Sequence, residues 1–195
     1  MVDNHNAIIN DKSSARRYML DTNVFSHMTE ENIGFLEDSI LKGFTYYSSS
    51  IQEMEAAGFG AKNRGEDSKF NTSEISNSEE SMNRLIAVYK RLNIESVSTI
   101  ATLLDRQTKV DGTQRFASRD KNEGIELLEE IQGKKKNTSK YPYFHYHDAI
   151  LAEATVHHNC YLVTDDKSFM KSFNDKFPGK AMDLNGLLNA VKNAV

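Results

Sequence analysis

The sequence predicts an α/β fold around a central parallel sheet, and three segments carry that prediction. "RYMLDTN" at 17–23, "FTYYSSS" at 44–50 and "CYLVT" at 160–164 each read as a short strand, being apolar or rich in aromatic and β-favouring residues and too brief for a helix. A helical pattern follows each of them. Strands separated by helices are the pattern of parallel pairing, because the chain must cross back over the sheet before it can start the next strand in the same direction.

Taken in order, residues 1–17 are polar and read as a flexible arm, with one domain expected over 18–195. After the first strand, "EENIGFLEDSILKGF" places Ile33, Leu36, Ile40 and Leu41 on one helical face, and Gly43 is a stop signal. After the second, "IQEMEAAGFG" supplies helix formers up to Gly58 and Gly60. Residues ~61 to 140 are expected to form an insertion in the α/β core. Within it, "AKNRGEDSKFNTSEISNSEES" is almost without large apolar residues and reads as a loop, and three amphipathic helices are expected over "SMNRLIAVYKRLN", "VSTIATLLDRQ" and "NEGIELLEEIQ". "YFHYHDAILAEATVHH" then reads as a helix with Asn159 as its C-terminal cap, leading into "CYLVT". "DDKSFMKSF" reads as a short helix, and "KAMDLNGLLNAV" as an edge strand and a last helix.

Composition narrows the function classes. The 195 residues suit one domain with an elaboration, and the formal net charge of -4 with 38% hydrophobic residues is that of an ordinary globular chain, not a basic nucleic-acid coat. No apolar run approaches the roughly 18 residues of a membrane span, and the N-terminus lacks the apolar middle of a secretory signal, so no membrane partner and a cytoplasmic location are expected. The single cysteine, Cys160, opens an apolar run and is expected to be a small core residue.

The carboxylates point toward chemistry. Asp21 ends the first strand, and Asp165 and Asp166 follow Thr164 at the end of another, so two acidic strand ends face one rim, where open α/β sheets bind ligands. Glu53 and Glu55 lie early in the helix after the second strand, near the same rim. Asp148 sits in the otherwise apolar "HDAILAEA", where a carboxylate is costly to bury unless it is paired or holds a cation. Clustered carboxylates repel one another unless something positive joins them. Hard cations such as Mg²⁺ or Mn²⁺ take oxygen ligands and suit phosphodiester hydrolysis. Taken singly, each Asp is equally an ordinary turn former or helix N-cap.

"MLDTNV", "SSIQEMEAAG", "HDAILAEAT" and "LVTDDKSF" resemble, in order, the four acidic motifs of PIN-domain nucleases, especially the ribonuclease toxins of bacterial type II toxin-antitoxin systems. The resemblance covers residues ~18 to 58 and ~143 to 190. It implies a three-layer PIN-like fold and a Mg²⁺- or Mn²⁺-dependent endoribonuclease. The acidic, metal-holding cluster would fall on Asp21, Glu53, Asp148 and Asp166, with Glu55 as a rival to Glu53. Asn23 and Thr164 match accessory polar positions, Ser48 or Ser50 the hydroxyl before the second motif, and Asp165 a secondary ligand or solvated neighbour. The resemblance also implies an RNA substrate, a small antitoxin partner and a homodimer. The middle of the chain is longer than is usual in the family, which fits equally a PIN nuclease of RNA processing without an antitoxin.

Other features have competing accounts. His147, beside Asp148, is a candidate contact for substrate phosphate, and Lys134, Lys135 and Lys136 form either a solvated loop or a grip on an RNA backbone. Glu153 is expected to face solvent. His145, His147, His157, His158 and Cys160 include zinc-capable side chains, but their spacing does not bring them to one helical face. A PIN-like scaffold that binds RNA or protein without cutting is the rival of another class. A haloacid-dehalogenase-like phosphatase would need a second Asp where Asn23 stands.

Overall fold

The parallel sheet is present in the computed structural model, which describes residues 16–49, 52, 77–97, 99–101, 114–116 and 146–194. In chain order the elements are β1 (Arg17–Leu20), α1 (Thr22–His27), α2 (Glu30–Ile40), β2 (Thr45–Ser49), α3 (Asn77–Arg91), β3 (Glu95–Val97), β4 (Thr99–Ala101), β5 (Gln114–Phe116), α4 (Tyr146–His157), β6 (Tyr161–Val163), α5 (Lys167–Lys176), β7 (Ala181–Met182) and α6 (Leu184–Asn193). Five strands form one sheet in the order β3-β2-β1-β6-β7, and every pairing in it is parallel. β4 and β5 pair separately.

Alternation along the strands builds the layers. Tyr18 and Leu20 of β1, with Tyr46 of β2, face a core completed by Val24, Ile33, Leu36, Val88, Leu187 and Val191 from α1, α2, α3 and α6. Met19 and Tyr47 point the other way, into a core with Leu151, Ala152, Phe169 and Phe173 from α4 and α5. Three α/β/α layers result, with β1 and β6 central because both their faces must be covered. α4 is buried all round from Ala149 to Thr155, which one apolar stripe would not require. It packs on both β6 and β4.

Where the expected elements fall within the described residues, most are present. α2 stops where Gly43 takes a left-handed φ of 84°, and Asn159 ends the α4 turn at φ 50°. Arg17 already belongs to β1. Four expectations need correction. Leu41 lies past the last residue of α2 and is 92% exposed, because the chain turns there and carries it off the apolar face. Glu153 is buried, not solvent-facing. α3 begins at Asn77, inside the stretch read as loop, where Glu79 and Glu80 suit the positive end of a helix. Residues 95–97 and 99–101 form strands where a helix is expected over "VSTIATLLDRQ", since β-branched Val97, Thr99 and Ile100 favour extended chain once partner strands are available. α3 and β3 therefore belong to the main sheet and its cover, and not to an insertion. The arm over 1–15 and the helix expected over "NEGIELLEEIQ" lie outside the described residues. Among the described residues no helix is long and apolar enough to cross a membrane.

Candidate active site at the carboxyl ends of β1 and β6

From β1 the chain crosses over toward β2 on one side of the sheet, and from β6 it crosses toward β7 on the other. The sheet order therefore reverses between these two central strands, which is the position where open α/β sheets form their ligand crevice. Asp21 follows β1, and Thr164, Asp165 and Asp166 follow β6. The Asp21 N–H still donates to Val163 O at 2.9 Å, so the two strand ends are held level.

A side-chain network joins them. The Thr164 hydroxyl donates to Asp21 Oδ2 at 2.7 Å and accepts from the Asp166 N–H at 3.1 Å and from Asn23 Nδ2 at 3.2 Å. One donor and two acceptor positions are all a hydroxyl has, so this buried threonine is fully used. Asn23 Nδ2 also donates to Asp21 Oδ2 at 2.9 Å, and Asn23 Oδ1 accepts the Asp165 N–H at 3.0 Å. Asp21 Oδ1 accepts from the Thr22 N–H at 2.7 Å, which makes Asp21 the N-cap of α1. Asp166 Oδ1 caps α5 through the N–H groups of Ser168 and Phe169 at 2.7 and 3.0 Å. Asp165 Oδ1 accepts the Leu184 N–H at 3.2 Å, and its Oδ2 meets His27 Nδ1 at 2.7 Å, so it ties α6 and α1 to the rim.

Asp21, Asn23, Thr164, Asp165 and Asp166 are thus brought together. Asp148 is half-buried in the first turn of α4. A helix that feeds directly into a strand and packs on it runs back along it, so the start of α4 lies toward the end of the sheet where β6 stops. His147 is in the same turn. Glu53, Glu55, Ser50, Lys134, Lys135 and Lys136 lie outside the described residues. Among the described residues no three His, Cys, Asp or Glu side chains form a group able to hold a metal ion.

Cys160 is buried in the core as expected, and burial pushes its thiol up to about 11.

Two polar groups escaped the sequence reading. His27 meets Asp165 from 138 residues away, and no local pattern announces such a pair. Gln52 is buried: its Oε1 accepts from the Ser49 N–H at 2.7 Å and the Ser48 hydroxyl at 3.2 Å, while its Nε2 donates to Leu20 O. It pins the end of β2 to the end of β1 beside Asp21.

No protein-family model matches the chain, and no curated protein matches it. Among solved structures it is similar to the crystal structure of PAE2754 from Pyrobaculum aerophilum, at 11% identity and a TM-score of 0.48, with 92% of this chain and 97% of that one covered.

Proposed function

We propose that the chain is a Mg²⁺- or Mn²⁺-dependent endoribonuclease whose centre is the rim at the ends of β1 and β6. The observation that carries this reading is the Asp21 carboxylate, which sits at the switch point of a parallel sheet and is fixed by donors from Thr164, Asn23 and Thr22. Carboxylates fixed in this way pay little further ordering cost on meeting a ligand.

The donor chemistry fits a hard cation. Asp21, Asp148 and Asp166 offer only oxygen, with no thiolate or imidazole in the set. These three do not by themselves form a cation-holding group, and would hold the ion only together with Glu53. A divalent cation there would supply an activated water and charge stabilisation for phosphodiester hydrolysis. The chain's own contribution is orientation: Thr164 and Asn23 hold Asp21 in one rotamer, Gln52 fixes the neighbouring strand end, and His27 steadies Asp165. The resemblance to the toxin nucleases extends the proposal to an RNA substrate, a small antitoxin and a homodimer in a cytoplasmic setting.

A second reading is favoured by one observation: Asp21 and Asp166 both serve as helix N-caps, which gives each a structural use in a scaffold that binds without cutting. Labelled single-stranded RNA and DNA, incubated with the protein in Mg²⁺, in Mn²⁺ and with chelator, separate the two. Internal cuts in RNA that need the metal are expected. Folded protein that leaves both polymers intact under every condition refutes the nuclease reading.

A further inference from the structure

Among the described residues two buried side-chain polar atoms lack a hydrogen-bond partner, Arg17 Nε and Ser49 Oγ. Arg17 has another use, since its guanidinium lies 4.9 Å from the centroid of the Tyr47 ring. Ser49 has none. It is 0% exposed, and a buried hydroxyl left without a partner is rare enough in a folded protein to call for a ligand or ordered water.

Its position says what that ligand is near. Met19 pairs with Tyr47 in the β1–β2 register, and continuing that register by two residues sets Ser49 beside Asp21. Met19 and Tyr47 share the sheet face that α4 covers, and residues two further along point the same way. The adjoining polar groups are already spoken for. The Ser49 N–H and the Ser48 hydroxyl both donate to Gln52 Oε1, and Ser48 Oγ also meets the Tyr89 hydroxyl. Ser48 faces the other side of the sheet, so the hydroxyl of β2 on the Asp21 side is that of Ser49, and it is left to meet something the protein binds.

We propose that Ser49 is a positioning residue, its hydroxyl holding a hydration water of the divalent cation bound at Asp21. This rests on the reading of that rim as a cation site. Hydrogen-bonding partners of this kind orient what the cation holds and typically contribute about 10- to 100-fold in metal affinity. The test is Mn²⁺ binding to the full chain without RNA, measured by titration calorimetry for wild type, Asp21→Asn and Ser49→Ala, with urea unfolding of each. Ser49→Ala is expected to weaken Mn²⁺ binding at least about 10-fold while unfolding at the same urea concentration as wild type or a higher one, because it removes an unpaired hydroxyl. Unchanged Mn²⁺ affinity in Ser49→Ala with binding lost in Asp21→Asn overturns the role of Ser49 and leaves the cation site standing. A Ser49→Ala chain that binds weakly only because it has lost stability shows a structural role and overturns the proposal as well. Absence of Mn²⁺ binding by folded wild type removes both.

Discussion

Replacing Thr164 tests the network that fixes Asp21, because valine and serine dissect it from opposite sides. Thr164→Val keeps the shape and deletes the hydroxyl. It takes one donor from Asp21 Oδ2 and leaves the Asp166 N–H and one Asn23 N–H without their acceptor at a site with 0% exposure. A hydrogen bond to a charged group contributes roughly 1.5–3 kcal/mol, and an orphaned buried donor costs roughly 1–3 kcal/mol. Asn23 is half-buried and Asp166 exposed, so water offsets part of this, and a net loss of about 2–4 kcal/mol is expected. Thr164→Ser keeps all three bonds and deletes one methyl group, at a cost of about 1 kcal/mol. Urea unfolding followed by circular dichroism measures both, and an unchanged m-value would show that the loss is in the native state. Valine should therefore be the more damaging variant by at least about 1 kcal/mol. A Thr164→Val protein as stable as Thr164→Ser would refute the claim that the hydroxyl organises the site.

Three further outcomes follow from the core and the last helix. Burial holds the Tyr46 hydroxyl well above its ordinary pKa of 10.0, so the folded state keeps that proton longer than the unfolded one; stability should be intact below pH 10 and fall as pH rises beyond it. Tyr46→Phe, which also gives up the 2.6 Å bond to Ser39, should cost about 1 kcal/mol at neutral pH and show a shallower alkaline loss in pH-dependent melts. Cys160 is the chain's single thiol, buried and with its pKa raised to about 11, so a colourimetric disulfide reagent at pH 8 should label it only as the protein unfolds; labelling within seconds in native buffer would contradict its placement. Gly186→Ala should lower the melting temperature despite alanine's helix propensity, because a Cβ there would lie 2.9 Å from Met182 Cβ and 3.3 Å from Asp183 Oδ1.

The sheet was legible because its strands are short apolar runs with turn residues at their ends, and that local pattern is what buried parallel strands impose on a sequence. "RYMLDTN" and "CYLVT" gave the central pair, and the acids at their ends marked the rim. Residues 97 and 99–101 were misread because the spacing of Val97, Ile100 and Ala101 fits a helix as well as a strand, and their fate is set by pairing with distant chain. Glu153 was misplaced for a related reason: α4 is covered on more than one side, and periodicity expects only one. At the site, Asn23 and Thr164 could be singled out from motif positions, whereas the bond between Thr164 and Asp21 spans 143 residues and became visible only with the fold. His27, Gln52 and Ser49 carry no sequence signal of their own. They matter through what stands beside them.

The most direct test of the account is Asp21→Asn, assayed for both RNA binding and metal-dependent RNA cleavage against wild type. The asparagine keeps the side chain's shape and its capping oxygen while removing the charge that would hold a cation. Cleavage should fall by at least about 100-fold with RNA affinity within a few-fold of wild type, in keeping with a charge used in the transition state and not in substrate binding. An Asp21→Asn protein that cuts RNA at the wild-type rate would contradict the placement of the catalytic centre at the end of β1.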